Sequence, residues 1–210
     1  MLQHRSTRTC LLLAATFLAA AAPFGAGESP ATETIVLVRH GEKPEAGLGQ
    51  LTCQGLNRAL ALPKVIQTLF GKPDFILAPD PAHSKPDHLE SYDYVRPLAT
   101  IEPTAVWFGL PVSTQYGWSD NRALAAALEQ PVYRNALVLV AWEHKEIVDV
   151  AQALLKDNGA DPSLVPTWAS DDFDAIYVIR IDRTAAPVRA TFERKTEGLD
   201  GQSTQCPGRW

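Results

Sequence analysis

The chain has 210 residues, 46% hydrophobic and 20% charged, which suffices for one substantial packed domain and excludes a disordered or collagen-like chain. Its 24 Asp and Glu against 19 Lys and Arg give a formal charge of -5. That balance argues against a nucleic-acid partner or an obligate anionic-membrane binder, since either needs a basic face.

Residues 1–27 read as a secretory signal peptide. Arg5 and Arg8 precede an apolar run over 11–22, broken only by Thr16, and the small residues Gly25, Ala26 and Gly27 offer a cleavage site. The run falls short of the roughly 20 residues that a membrane-spanning helix needs. Export to the periplasm or the medium, with no stable membrane insertion after cleavage, is therefore expected. The mature chain is expected to be a single domain over 28–210. It has lost Cys10 and keeps Cys53 and Cys206, and an oxidising compartment favours a disulfide between them.

Residues 34–38 form a continuous β-branched and apolar run, the pattern of a strand buried on both faces. The run stops at Arg39-His40-Gly41-Glu42-Lys43-Pro44, where charge, Gly and Pro force a loop. Thr52 is placed to cap a helix with Leu56, Ala59, Leu60, Leu62, Ile66 and Leu69 on its apolar face, and Pro63 is expected to kink or split it. Residues 74–78 read as a second strand. A polar excursion over 80–95 follows, carrying His83, Asp87, His88, Glu90 and Asp93; loops this long without periodicity are often functional.

A second helix is expected from Arg96-Pro97 to Gly109, with Pro at a tolerated first-turn position. Asp120 is expected to cap a third, running through Leu124, Ala127 and Leu128. Residues 136–142 read as a buried strand ending at Glu143-His144-Lys145. Ile147, Val150, Ala151, Leu154 and Leu155 then give an amphipathic helix that stops at Asn158-Gly159. Residues 175–181 and 189–192 read as antiparallel strands. The alternation implies an α/β fold: a three-layer sandwich with a mostly parallel central sheet and an antiparallel C-terminal edge. Trp107, Trp118, Trp142 and Trp168 are expected in core or rim packing. Asp171, Asp172 and Asp174 fit a solvated approach to a strand better than a cation site.

In open α/β sheets, ligands gather at the carboxyl ends of the strands. Two apolar strands here run into histidines, His40 and His144, while the second leads through the excursion to Arg96 at a helix start. Arg39, His40, Arg96 and His144 should therefore share one mouth. Such a cationic group in an acidic chain asks for an anion, and forked guanidinium donors fit phosphate oxygens. A neutral imidazole nitrogen is also a competent nucleophile, able to divide a displacement into two easier steps.

Val38-Arg39-His40-Gly41-Glu42 after a buried strand resembles the signature of the histidine phosphatase superfamily, the fold of phosphoglycerate mutases and acid phosphatases. The resemblance continues through Leu51-Thr52-Cys53-Gln54-Gly55-Leu56-Asn57-Arg58-Ala59, similar to that family's first helix. It extends to Arg96-Pro97-Leu98-Ala99-Thr100 and to the strand ending at His144, covering residues 35–155 in the family's order. The resemblance implies a phosphoric monoester hydrolase in which His40 takes the phosphoryl group and Arg39, Arg96 and His144 form the phosphate pocket. It implies a small-molecule phosphomonoester as partner, and no metal or organic cofactor. A phosphomutase and a non-catalytic phospholigand-binding module of the same fold are the alternatives. Two features depart from the family pattern. The excursion separates the second strand from Arg96, and Lys145 stands where one branch places its proton donor. Asp120, Glu129, Glu143, Glu146, Glu42 and Asp80 are the candidate acids, although strand alternation should turn Glu143 away from His144.

Overall fold

Residues 32–208 are described by a computed structural model. The signal peptide expected over 1–27 lies outside the described residues. The first apolar run forms β1 (Thr32–Arg39), whose residues from Ile35 onward are almost all buried because both faces of the strand are covered. It pairs in parallel with β6 (Leu137–Trp142), which pairs in parallel with β2 (Phe75–Leu77), and β2 in turn with β5 (Val112–Ser113). On the other side β1 pairs antiparallel with β7 (Ala175–Asp182), and β7 with β8 (Arg189–Thr196). The 6-stranded sheet thus has the order β5-β2-β6-β1-β7-β8, parallel through its centre with the expected antiparallel C-terminal edge.

Side-chain alternation divides the core into the two halves of a three-layer sandwich. Ile35, Leu37, Val138, Val140 and Trp142 face α3 (Asn121–Leu128) and α4 (His144–Asp157), meeting Leu124, Leu128, Ile147, Val150 and Leu154. The intervening residues Val36, Val38, Leu139 and Ala141 face α1 (Cys53–Leu69) and α2 (Arg96–Phe108), meeting Leu62, Ile66, Ile101 and Ala105. Thr52 caps α1 as its position suggests, its hydroxyl accepting from the Gly55 N–H at 3.1 Å. Gly109 closes α2 at φ 66.

Several sequence expectations need correction. Helix α1 is not split at Pro63, because Pro63 is buried beside Leu62 and Ile66 and tertiary burial outweighs the one backbone bond a proline removes. The excursion is not irregular: it holds a hairpin of β3 (Ser84–Asp87) and β4 (Glu90–Asp93), a separate 2-stranded sheet. Its paired positions are polar, Ser84 with Asp93 and Lys85 with Tyr92, so no apolar alternation marks it. Strand β8 runs four residues beyond Phe192, since on an edge strand Glu193, Arg194 and Lys195 can sit half-solvated. Asp120 occupies the N-cap position of α3 but makes no cap bond; its carboxylate accepts from the Gly117 N–H instead. Asp172 and Asp174 are not merely solvated, since they accept backbone N–H bonds from residues 174–175 and 198–199. Trp142 and Trp168 are buried, whereas Trp107 is largely exposed.

The C-terminal segment is drawn back onto the start of α1. Cys53 and Cys206 form a disulfide, and the Asn57 side-chain amide donates to the carbonyls of Ser203 and Gln205, each at 2.8 Å. The bond closes a loop with a sequence separation of 153, long enough to restrict the unfolded chain appreciably. The Cys53→Ser, Cys206→Ser double variant is expected to lose about 2–5 kcal/mol of stability. Chemical denaturation of the two proteins measures this, and an unchanged midpoint would show that the cross-link contributes nothing to stability.

Candidate active site

The site begins with a backbone contact. A Cβ on Gly41 would meet the Gly55 carbonyl oxygen at 2.9 Å, and one on Gly55 would meet the Glu42 carbonyl oxygen at 2.4 Å. Only glycine at both positions lets the loop after β1 lie directly on the first turn of α1. The loop is fixed further by the Gly41 N–H, which donates to the Thr100 hydroxyl at 2.9 Å; that hydroxyl donates in turn to the Arg96 carbonyl, also at 2.9 Å. Thr100, fully buried in α2, therefore couples the His40 loop to the helix start that carries Arg96.

His40 is 2% exposed, and its Nδ1 lies 2.8 Å from the Gly41 carbonyl oxygen. A carbonyl can only accept, so Nδ1 carries the proton and Nε2 keeps its lone pair in the neutral ring. Burial pulls the imidazole down to about 3; the Gly41 bond opposes the shift, and the Arg96 and Arg39 charges add to it. The ring edge meets Tyr94 at 6.0 Å between centroids, and Phe173 lies at 6.2 Å.

Arg39, the last residue of β1, is 2% exposed. Its Nη1 donates to the carbonyls of Ser170 and Asp172 at 2.9 and 2.7 Å, and its guanidinium stacks 3.8 Å from the Phe173 ring centre. Burial lowers it to about 10, which leaves it protonated near neutrality. Arg96 opens α2 and is also 2% exposed; its Nη1 donates to Asp87 Oδ2 at 2.5 Å and to the Gly47 carbonyl at 3.3 Å. Asp87 in turn accepts from Lys43 Nζ at 2.7 Å, and a Cβ on Gly47, at φ +84, would strike its carboxylate. The hairpin thus braces Arg96 through one buried carboxylate.

His144 opens α4 directly after β6. Glu143 is the N-cap of that helix, its carboxylate accepting from the backbone N–H groups of Lys145 and Glu146. It also lies 2.9 Å from His144 Nδ1, although off the line of a good hydrogen bond. The expectation that Glu143 turns away fails because strand alternation ends at Trp142 and a cap residue obeys a different geometry. Burial alone would raise the Glu143 carboxyl, but the His144 ring, the Glu146 N–H and Lys85 bring it down to about 2. Glu143 is therefore a carboxylate rather than a proton donor at neutral pH.

The other candidate acids are committed elsewhere. Glu42 is bidentate on Arg58, Glu129 bonds Asn158, Glu146 bonds Asn121, Asp80 bonds His83 and the Ala82 N–H, and Asp120 bonds the Gly117 N–H. At the candidate site Arg39 Nε, Arg96 Nε, the Tyr94 hydroxyl and both His144 ring nitrogens are buried without a hydrogen-bond partner, as are Glu33 Oε1, Thr104 Oγ1, Asn121 Oδ1, Arg183 Nε and Glu197 Oε1 elsewhere among the described residues. Four of these ten atoms belong to Arg39, Arg96 and His144, and polar atoms so buried normally find partners. The common need of those four is an anion with several acceptor oxygens. Tyr94 and Phe173 escape notice in the sequence because nothing in their spacing ties them to His40, and Asp87 and Thr100 stand out only as members of the polar excursion and of the Arg96 segment.

No protein-family model and no curated protein matches the sequence. Solved structures do match. A mycobacterial glucosyl-3-phosphoglycerate phosphatase, solved with inorganic phosphate, is similar at a TM-score of 0.53 and 16% identity, over 77% of this chain and 95% of that one. A SixA protein from Nakamurella multipartitia, assigned as a phosphohistidine phosphatase, matches at a TM-score of 0.53 and 18% identity, over 80% and 98%. A protein described as mycobacterial hydrolase 2 matches at 0.52 and 14% identity, over 77% and 89%. The chain has the histidine phosphatase fold. Within that fold, the hairpin-borne Asp87 is what braces Arg96 here.

The buried His40 ring is expected to stay neutral, with its proton on Nδ1, down to about pH 4. Nitrogen NMR of the ring across a pH titration reads this directly. A ring that protonates near its ordinary value of about 6.5 would contradict the burial described.

Proposed function

We propose that this protein is an exported member of the histidine phosphatase superfamily that hydrolyses small phosphomonoesters through a phosphohistidine on His40. The observation that carries the reading is the fixed His40 tautomer, with a free Nε2 lone pair, beside two buried arginines whose Nε–H groups lack partners. The phosphate in the mycobacterial phosphatase structure supports it. The Cys53–Cys206 disulfide fits an oxidising compartment and so supports export.

In this mechanism Nε2 attacks phosphorus, forming the N–P bond as the ester P–O bond breaks. Arg39 and Arg96 donate to the phosphoryl oxygens, and His144 lies with them to share the developing charge. Water then attacks the phosphohistidine, the N–P bond breaks, and phosphate leaves with His40 restored. With Glu143 ionised, the donor to the departing oxygen is solvent or one of the other five carboxyl groups. Esters of acidic alcohols, whose leaving groups need the least protonation, therefore turn over fastest.

Against 4-nitrophenyl phosphate, His40→Ala is expected to abolish turnover while keeping the fold. Arg96→Ala is expected to lower kcat/KM by about 10²-fold or more, as loss of a transition-state donor does. Asp87→Asn, which keeps Arg96 but weakens its brace, should cost less, about tenfold. Steady-state kinetics checks all three. Wild-type rates in Arg96→Ala would remove that arginine from the pocket, and phosphate binding without any turnover would favour the non-catalytic module.

A further inference from the structure

Within β3, Lys85 and Asp87 stand two residues apart and so point to the same face of the hairpin. Asp87 reaches the Arg96 guanidinium, which places Lys85 next to it over the same mouth. Lys85 Nζ rests 3.5 Å from the centre of the Trp118 ring and 5.6 Å from that of Tyr94, the ring that also meets His40 and Arg96. Trp118 is itself fixed. Its indole N–H donates to the Ser84 carbonyl at 3.1 Å, and its own carbonyl accepts from the Trp142 indole at 2.8 Å, at the end of the strand that leads to His144.

Lys85 is half-buried, and burial pushes its ammonium down from the usual lysine value. Glu143, Glu146 and Asp87 attract it and Arg96 repels it, yet no carboxylate among the described residues forms an ion pair with it. A partly desolvated cation is thus held on an aromatic platform at the rim of the proposed phosphate pocket, with its three N–H donors uncommitted.

We propose that Lys85 forms a second anion subsite, so that the preferred substrate is a phosphomonoester carrying a further anionic group a short distance from the phosphoryl group. This inference rests on the phosphate pocket proposed above. It goes beyond that proposal by naming the substrate class and the residue that selects it. The hairpin, by carrying both Asp87 and Lys85, would then orient the phosphoryl-binding arginine and read the rest of the molecule.

The test measures binding without turnover. Alkylphosphonates with two to four methylenes, each with and without a terminal carboxylate, are titrated calorimetrically into wild type, Lys85→Gln and Lys85→Arg. Wild type is expected to bind at least one carboxylate member about tenfold tighter than its plain counterpart, a preference worth one partly buried charge pair. That ratio should collapse toward one in Lys85→Gln and persist in Lys85→Arg. Equal affinities for the paired ligands in wild type would overturn the subsite while leaving the phosphate pocket standing. A Lys85→Gln variant that loses both members of a pair equally would also overturn it, by showing that Lys85 serves the phosphoryl group instead. If no phosphonate binds wild type, the pocket and the proposed function fail together, and the subsite with them.

Discussion

A single buried guanidinium gathers the segments on which the His40 loop depends. Arg58, on the second turn of α1, is fully buried and meets four carboxylates from four parts of the chain. Glu42 belongs to the loop after His40, Asp174 precedes β7, Glu197 follows β8 and Asp200 lies in the C-terminal segment, all within 3.1 Å. Taking one arginine out of water is costly, and only this density of acceptors offsets it. The same carboxylates hold Arg58 firmly in its charged form, whereas burial pushes Glu197 up to about 8. Substituting Arg58 would leave several acids facing one another without a counter-charge, which typically costs about 3–5 kcal/mol. With the Gly41–Gly55 contact, this network sets where the loop lies and thus where His40 points.

Around the histidine, the chain reverses the charge logic of its own surface. A protein with a net charge of -5 places Arg39 and Arg96 beside His40 at 2% exposure each, and leaves the Nε of each guanidinium buried without a partner. The partnered nitrogens are held by carbonyls in the 170–172 loop and by Asp87, so both forks are oriented in advance. Preorganisation of this kind is worth more in a buried site than in water, because the surroundings do not reorganise as charge develops. The neutral imidazole completes the arrangement: the burial that leaves the arginine Nε atoms unpartnered also keeps its Nε2 unprotonated.

Much of this was legible in the sequence, and the boundary is physical. The buried strands announce themselves as apolar runs, and the resemblance names Arg39 and His40 at the end of β1, Arg96 at the start of α2 and His144 after β6, of which His40 and Arg96 share the Tyr94 ring. Thr52, Gly109 and Asn158-Gly159 marked helix ends by local chemistry that needs no tertiary partner. Contacts between distant segments could not be read in the same way. Asp87 reaches Arg96 only because a polar hairpin folds back over the mouth, and its residues carry no apolar alternation. Glu143 departs from strand alternation because one residue separates strand geometry from cap geometry. Pro63 does not split α1 because its packing beside Leu62 and Ile66 overrides local propensity. The β5 pairing spans two residues, too few to leave a signal.

The central claim is that the phosphoryl group passes through His40 Nε2. Rapid mixing of the protein with substrate, quenching in alkali where phosphohistidine survives, and peptide mass mapping test it most directly. The account predicts one added phosphoryl group on the peptide containing His40, absent when the substrate is omitted. A phosphoryl group on another residue would contradict the account, as would multiple turnovers with inversion of configuration at phosphorus, the signature of direct attack by water.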